Sequence, residues 1–211
     1  MSTQPTWDVL LIGGSSGVGK TRIARELAKA LSIPLLLADD VRLALQQVTT
    51  PEQQADLHVF LNYPPEQWRN GEQIRADWIT VGQAMTPPLK TILAHHVVVS
   101  GVGRLILEGD GILPELARPD TFADLKHFSG LRLDNEVRAV FLVEPDEEQI
   151  LSNLRARGRG FDEWGLEEQR AFAHASWLFG QWLAREADMR GLPVLEARPY
   201  ESLLERTLAV L

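Results

Sequence analysis

Short apolar runs alternate along this chain with longer segments in which apolar residues recur every three or four positions. The short runs have the length of buried strands, whereas the longer segments have helical periodicity. Strands that alternate with helices in this way are typical of an α/β fold with a largely parallel sheet. The predicted strands cover residues 7–13, 33–38, 104–108, 137–143 and 192–196.

The same periodicity places helices between these strands. We expect the helix over 72–99 to break at Pro87-Pro88, because proline lacks the N–H that a helix interior needs. Segment 111–135 is expected to be irregular, with one short helix. The other predicted helices cover residues 21–31, 41–48, 51–61, 146–157, 166–190 and 200–210.

A glycine-rich stretch with the pattern G-x-x-x-x-G-K-[ST] separates the first strand from the first helix. Strand, loop and helix follow in the order that a nucleotide phosphate-binding loop requires. The N–H groups of such a loop converge on phosphate oxygens, and the positive end of the helix dipole faces the anion. We expect Lys20 to reach the β- and γ-phosphates and Thr21 to hold Mg²⁺. The alternative is a glycine-rich turn with a surface lysine. The stretch comprises Gly14, Ser15, Ser16, Gly17, Val18, Gly19, Lys20 and Thr21.

Composition and charge exclude several classes of partner. The 211 residues include no cysteine, which excludes disulfides, thiolate metal sites and cysteine nucleophiles. The formal net charge of −8 argues against nucleic acid, because phosphate backbones select basic surfaces. No signal sequence or long apolar run is visible. We therefore expect a cytoplasmic monomer or homodimer, with no membrane partner, that forms a single domain over 1–211.

Acidic residues follow the second and third predicted strands. Ligands of open parallel sheets bind at the carboxyl ends of the strands, so these acids are expected to share a cleft with the glycine-rich loop. Asp39 or Asp40 could orient or deprotonate an acceptor hydroxyl. The alternative is that one of them caps the following helix.

Glu108 ends a strand of apolar residues, which is the usual setting for an acid that holds the water ligands of magnesium. We expect it to act near Thr21. Asp110 competes for that role and is also a candidate substrate contact. The alternative for both acids is an ordinary turn at a strand end.

Arginines provide the third set of candidates. Arg155, Arg157 and Arg159 lie among glycines after the fourth strand, where they could stabilise a transferring phosphoryl group from a lid over 155–165. Their alternative role is to complement a helix dipole. Arg42 could bind an anionic substrate or could be a solvated helix residue. Segment 50–100 is expected to form the substrate side of the domain.

Four stretches of the chain together resemble the small P-loop kinases. This group includes nucleoside-monophosphate kinases, shikimate kinase and chloramphenicol phosphotransferase. The greatest similarity is to bacterial 2-phosphoglycerate-kinase-like proteins, in which a similar Glu-Gly step and a later proline follow the third strand. The stretches are Gly13 to Thr21, Asp39 to Arg42, Leu107 to Asp110 with Pro114, and Asn153 to Arg159.

The resemblance implies the three-layer P-loop NTPase fold, with a five-stranded parallel sheet in the order 2-3-1-4-5. It also implies ATP as donor, an acid near the acceptor at the end of the second strand, and lid arginines. The loop after the fifth strand would pack near adenine, with Arg198 partly covering the base. The chain departs from the group in two respects: it lacks the acceptor motif of adenylate kinases and the Asp-x-Asp and Gly-Gly-Gly set of shikimate kinase.

The leading hypothesis is therefore an ATP- and Mg²⁺-dependent kinase that acts on a small metabolite. The acceptor could carry a phosphate or carboxylate, as 2-phosphoglycerate does. The alternative is a nucleotide-binding regulatory NTPase without a small acceptor, and a phosphotransferase toxin or resistance protein is a third hypothesis.

Overall fold

A sheet of five parallel strands forms the centre of the molecule. The computed structural model describes residues 7–61, 70–98, 103–117, 137–158 and 160–211. Within these residues the strands are ordered β2-β3-β1-β4-β5, which confirms the predicted fold. The strands are β1 (Val9–Gly14), β2 (Leu35–Leu37), β3 (Leu105–Glu108), β4 (Val137–Val143) and β5 (Val194–Glu196).

Helices cover both faces of this sheet. Because successive side chains of a strand point to opposite faces, β1 contributes Leu11 to one layer of the core and Leu10 to the other. The layer around Leu11 contains α3 and α5, and the layer around Leu10 contains α1 and α6. The described helices are α1 (Lys20–Leu31), α2 (Ala38–Val48), α3 (Gly71–Val98), α4 (Glu147–Ala156), α5 (Leu166–Asp188) and α6 (Leu203–Ala209).

The parallel register brings the carboxyl ends of β1, β2 and β3 to one edge of the sheet. Ile12 is paired with Glu108, and Glu108 is paired in turn with Leu37. The loop after β1, the residues after β3 and the start of α2 are therefore neighbours. None of the helices in the described ranges is both long and apolar enough to cross a membrane.

Helix α2 begins three residues earlier than the sequence predicts. β2 runs directly into it, with Leu37 at the N-cap position and no side-chain cap among the described residues. Both aspartates thus lie inside the first turn, so the capping alternative is wrong. A Cβ on Gly109 would lie 2.7 Å from the Cβ of Ala38, so glycine is needed where the end of β3 packs against this turn.

The helix predicted over 51–61 is reduced to a 3₁₀ turn at Ala55–His58. Side chains of α2 hold this turn. The Gln46 amide donates to the Leu57 carbonyl, and the Thr49 hydroxyl lies 3.0 Å from the His58 ring nitrogen Nε2. The Leu57 carbonyl is a group that a longer helix would have paired internally, and the two contacts tie the turn to α2 and to its C-cap residue Thr49.

The break predicted at Pro87-Pro88 does not occur, since α3 continues through both prolines. Residues on either side of them are buried against the sheet, including Met85 and Leu89. The Thr91 hydroxyl donates to the Pro87 carbonyl. Packing on both sides of the prolines therefore outweighs the missing backbone hydrogen bonds. In the irregular segment after β3, a 3₁₀ turn covers Pro114–Ala117, and residues 118–135 lie outside the described ranges.

Candidate functional site

The glycine-rich loop joins β1 to α1 at the carboxyl edge of the sheet. Gly19 is the N-cap of α1 and has a φ of 90°, in the left-handed region that favours glycine. Lys20 is the first residue of the helix, and its side chain is only 7% exposed. The motif therefore has the predicted strand–loop–helix setting, with its lysine folded into the loop.

Side chains hold three successive carbonyls of the loop. Lys20 Nζ donates to the Ser15 carbonyl at 2.8 Å. The Ser176 hydroxyl donates to the Ser16 carbonyl at 2.6 Å, and the Asn153 amide donates to the Gly17 carbonyl at 2.8 Å. A peptide's C=O and N–H point in opposite directions, so fixing the carbonyls also fixes the N–H groups that follow them.

These N–H groups belong to residues 16–18. Within the described part of the chain they donate to no backbone carbonyl. A run of N–H groups without backbone acceptors beside a helix N-terminus is suited to an anion with several oxygens, such as a polyphosphate. The hydrogen-bonding pattern thus agrees with the phosphate site predicted from the sequence.

Two acids at the carboxyl end of β3 contact the last two residues of the motif. Asp110 forms an ion pair with Lys20 through Nζ and Oδ1. The Thr21 hydroxyl donates to Glu108 Oε1 at 2.8 Å. The structure therefore brings together Lys20, Thr21, Glu108 and Asp110, which the sequence predicts in two segments almost 90 residues apart.

Glu108 is 4% exposed, and its Oε2 atom is buried with no hydrogen-bond partner among the described residues. Burial raises the pKa of this carboxyl, while Lys20 and the Thr21 hydroxyl oppose the shift. A buried carboxylate oxygen without a donor is suited to a cation or to a water molecule that a cation binds.

The donors around Thr21 fit magnesium. The Thr21 hydroxyl gives its hydrogen to Glu108, which leaves the oxygen lone pairs available for a metal. Within the described ranges no cluster of three or more His, Asp or Glu side chains could hold a metal by itself. Mg²⁺ usually takes only one or two protein ligands and completes its shell with phosphates and water.

Asp39, Asp40 and Arg42 lie in the first turns of α2. Arg42 Nη2 is 3.1 Å from Asp39 Oδ1, and the side chains are 26% and 54% exposed, respectively. Asp39 is close enough to raise the pKa of Glu108 by charge repulsion, although burial of Glu108 is the main cause of that shift. Asp39 therefore lies near the carboxyl end of β3, where Glu108 is.

The predicted lid arginines follow Asn153 on α4. Arg155 Nε donates to Gln169 Oε1 at 2.8 Å, and Arg157 is exposed just beyond the end of the helix. Arg159 lies outside the described residues. Phe161 is buried in a small apolar cluster with residues of α4 and α5, separate from the two layers of the main core.

Arg198 lies in the loop after β5, as the sequence predicts. Its guanidinium makes two hydrogen bonds, of 2.8 and 2.7 Å, to the fully buried carboxylate of Glu144, and these bonds raise the pKa of Arg198. An open cavity of about 450 Å³ lies beside it. The cavity is lined by Pro145, Glu196, Arg198, Pro199, Tyr200 and Glu201.

Sequence reasoning missed four side chains that support the site. Ser176 and Asn153 bind loop carbonyls, Glu144 holds Arg198, and the Tyr200 ring lies over Gly19. Only Ser176 left a usable signal, because it is a polar residue on a helix face that otherwise carries Ala173 and Phe179 and is itself fully buried.

Comparison with solved structures relates the whole described architecture to known kinases. A shikimate kinase from Bacteroides thetaiotaomicron is 14% identical with a TM-score of 0.53, and the match covers 95% of this chain and 96% of that one. A sugar kinase from Janibacter sp. HTCC2649 is 21% identical with a TM-score of 0.52, over 98% and 94% of the two chains. A gluconokinase from Sinorhizobium meliloti 1021 is 13% identical with a TM-score of 0.50, over 96% and 90%.

At these identities the likeness concerns the fold. No protein-family model matches the chain. No curated protein has a significantly similar sequence either. The resemblance to 2-phosphoglycerate-kinase-like proteins remains a prediction, as do the roles of the individual site residues.

Proposed function

We propose that this protein is a small-molecule kinase that transfers the γ-phosphoryl group of Mg·ATP to a small acceptor. The observation that carries the proposal is the convergence of Lys20, Thr21, Glu108 and Asp110 on one loop, with Asp39 at the neighbouring strand end. The fold shared with a shikimate kinase, a sugar kinase and a gluconokinase supports the same reaction class.

The phosphate end of the site would bind the donor. The N–H groups of the loop and the Lys20 ammonium bind the β- and γ-phosphates, and Lys20 exchanges Asp110 for a phosphate oxygen. Thr21 and Glu108 would hold Mg²⁺, the latter through water, and the bound ion supplies positive charge to the phosphate oxygens. The cavity beside Arg198 and Tyr200 would receive the base.

The acceptor end would complete the reaction. An acceptor hydroxyl oxygen attacks the γ-phosphorus, the bond from phosphorus to the β,γ-bridging oxygen breaks, and the hydroxyl proton passes to a carboxylate. Asp39 is better suited to this role than Asp40, because its charge already acts on Glu108. Arg155, Arg157 or Arg159 would neutralise charge on the transferring group from the lid over 155–165.

The acceptor we propose carries an anionic group, as 2-phosphoglycerate or a sugar acid does. Arg42 is the cation closest to Asp39 along α2, and a quarter of its side chain remains exposed. An acceptor carboxylate or phosphate could therefore replace Asp39 on Arg42, which would free the Asp39 carboxylate for the acceptor hydroxyl. Segment 50–100 would supply the remaining acceptor contacts within a single kinase-like domain.

The test is phosphoryl transfer from γ-labelled ATP to a panel of sugars, sugar acids, shikimate, phosphorylated acids and nucleosides. We expect one chemical class to accept label and to accelerate ADP release, and we expect both signals to disappear in the Lys20→Ala variant. Normal ATP binding without transfer to any class would contradict the proposal. ATP turnover that responds to a protein partner alone would indicate the regulatory NTPase instead.

A further inference from the structure

We propose that Asn153 is a positioning residue that joins the phosphate loop to the loop after β5. Its hydrogen bonds would make one connected unit of the phosphate end and the base end of the nucleotide site. This inference rests on the proposed nucleotide site. It gives α4 a second role, in positioning the phosphate loop. This role belongs to a residue before the lid arginines and does not depend on them.

The three hydrogen bonds of the Asn153 side chain define this unit. Its amide nitrogen Nδ2 donates to the Gly17 carbonyl at 2.8 Å and to the Tyr200 hydroxyl at 2.9 Å. Its Oδ1 accepts a hydrogen bond of 2.9 Å from Gln149, one turn earlier on α4. An asparagine amide has two N–H donors, so both are used, and the Gln149 donor fixes which way the amide faces.

Tyr200 connects this amide to the other half of the nucleotide site. Its ring lies against Gly19 at the start of α1, and the Arg22 guanidinium carbon is 5.8 Å from the ring centroid. The same residue lines the cavity beside Arg198. Tyr200 therefore contacts the phosphate loop on one side and the proposed base cavity on the other.

The bond to Gly17 determines the direction of a phosphate-binding amide. The Gly17 carbonyl and the Val18 N–H belong to one planar peptide, so holding the carbonyl on α4 turns the N–H toward the phosphate side. Gly17 has a φ of 83°, a conformation from which an unrestrained glycine peptide can rotate readily. Without Asn153 the loop would lose this restraint and the nucleotide would have to order it.

The roles of Asn153 and Tyr200 can be separated with two ligands. Tripolyphosphate occupies only the phosphate end, whereas ATP occupies both ends. We expect Asn153→Ala to raise the dissociation constants of both ligands about tenfold, since it leaves the Gly17 carbonyl unpaired. Tyr200→Phe keeps the ring on Gly19 and removes only the hydroxyl, so ATP binding should weaken about threefold while tripolyphosphate binding stays unchanged.

Two further variants distinguish a specific loss of binding from a general loss of stability. Ser152→Ala changes the exposed neighbour of Asn153 on α4 and should bind both ligands like the wild type. Gln149→Ala removes only the group that orients the Asn153 amide, at a half-buried position. It should weaken both ligands in the same direction as Asn153→Ala but less, with an unchanged melting temperature. A general loss of stability would instead lower the melting temperature in parallel with ligand binding.

Tripolyphosphate binding within twofold of wild type in Asn153→Ala would overturn the positioning role. An equal loss of ATP and tripolyphosphate binding in Tyr200→Phe would overturn the division between the two ends. Lys20→Ala, measured in parallel, separates this inference from the proposed function. If Lys20→Ala also leaves tripolyphosphate binding unchanged, the phosphate site itself is wrong.

Discussion

The phosphate end and the acceptor end of the candidate site differ in how completely the protein itself has built them. At the phosphate end, Lys20 and Glu108 are 7% and 4% exposed and are held by the loop and by Thr21. At the acceptor end, Asp39 is 54% exposed, and its ion-pair partner Arg42 lies on the same turn of α2. One end is fixed before any ligand binds, and the other is open to solvent.

This difference has an energetic meaning. Burying a carboxylate without a full set of donors destabilises the folded state, and the raised pKa of Glu108 reflects that cost. An exposed ion pair such as Asp39 with Arg42 contributes little to stability, so it can be exchanged for contacts to a ligand. The phosphate end is thus preformed at a cost in stability, whereas the ion pair at the acceptor end can separate at little cost when a ligand binds.

The largest effect on activity is expected when the central cation of the phosphate end is removed. We expect Lys20→Ala to lower kcat/KM for transfer about 1,000-fold, because no other group of the loop supplies a full positive charge to the γ-phosphate. The matched control is Lys29→Ala, which removes an exposed lysine from the same helix and should have wild-type kinetics. Wild-type turnover in Lys20→Ala, measured with a coupled ADP assay, would contradict the site.

The next test concerns the two aspartates of α2. We expect Asp39→Asn to lower kcat about 100-fold through loss of the proton acceptor, whereas Asp40→Asn should stay within about threefold of wild type. Neither change should affect the dissociation constant of ATP. The reverse order of the two effects on kcat would assign the acceptor role to Asp40.

A smaller effect is expected at Arg42. Arg42→Gln should raise the KM of an anionic acceptor about tenfold and leave the KM of ATP unchanged, since the charge lies at the acceptor end. Arg25→Gln, which changes an exposed arginine on α1, serves as the control for net charge. An equal rise in both KM values would mean that the two ends are not separate.

The smallest effect is a pH-dependent change in stability at Glu108. Its folded-state pKa lies above its ordinary value of 4.5, so the unfolded chain releases this proton at lower pH than the folded chain does. The resulting penalty is absent below about pH 4.5 and grows until the pH exceeds the folded pKa. Glu108→Gln should therefore melt progressively higher than wild type as the pH rises from 4 to 8. An unchanged difference across that range would show that burial of this charge has no cost.

Much of the fold and of the phosphate end could be predicted from the sequence. Lys20 and Thr21 belong to one contiguous motif, and the sheet order is implied by the resemblance of this motif and three other stretches to small P-loop kinases. Glu108 could be placed because strand ends of a parallel sheet meet at one edge. The motif and the position of Glu108 needed only local patterns and the rules of parallel sheets, whereas the sheet order needed the family resemblance.

The side chains that hold the loop could not be predicted in this way. Ser176 and Asn153 bind carbonyls 160 and 136 residues away in the chain. Every residue has a backbone carbonyl, so the sequence does not indicate which carbonyl accepts the hydrogen bond. The start of α2 at Ala38 was missed as well, because β2 runs directly into the helix and Leu37, its N-cap residue, has no side-chain capping group that could mark the boundary. Such features arise from packing and appear only once the chain is folded.

Helix α5 connects the phosphate loop to the core, and this connection bears on local unfolding of the loop. It buries Phe179, Leu183 and Ala187 against the sheet and, from the same face, offers the Ser176 hydroxyl to the phosphate loop. We therefore expect the loop to open together with the core and not to fluctuate as an independent surface segment. In native-state hydrogen exchange, the helix amides of α1 that follow the loop should exchange as slowly as those in the middle of α5. A loop of glycines and serines would then rank among the slowest parts of the protein to open.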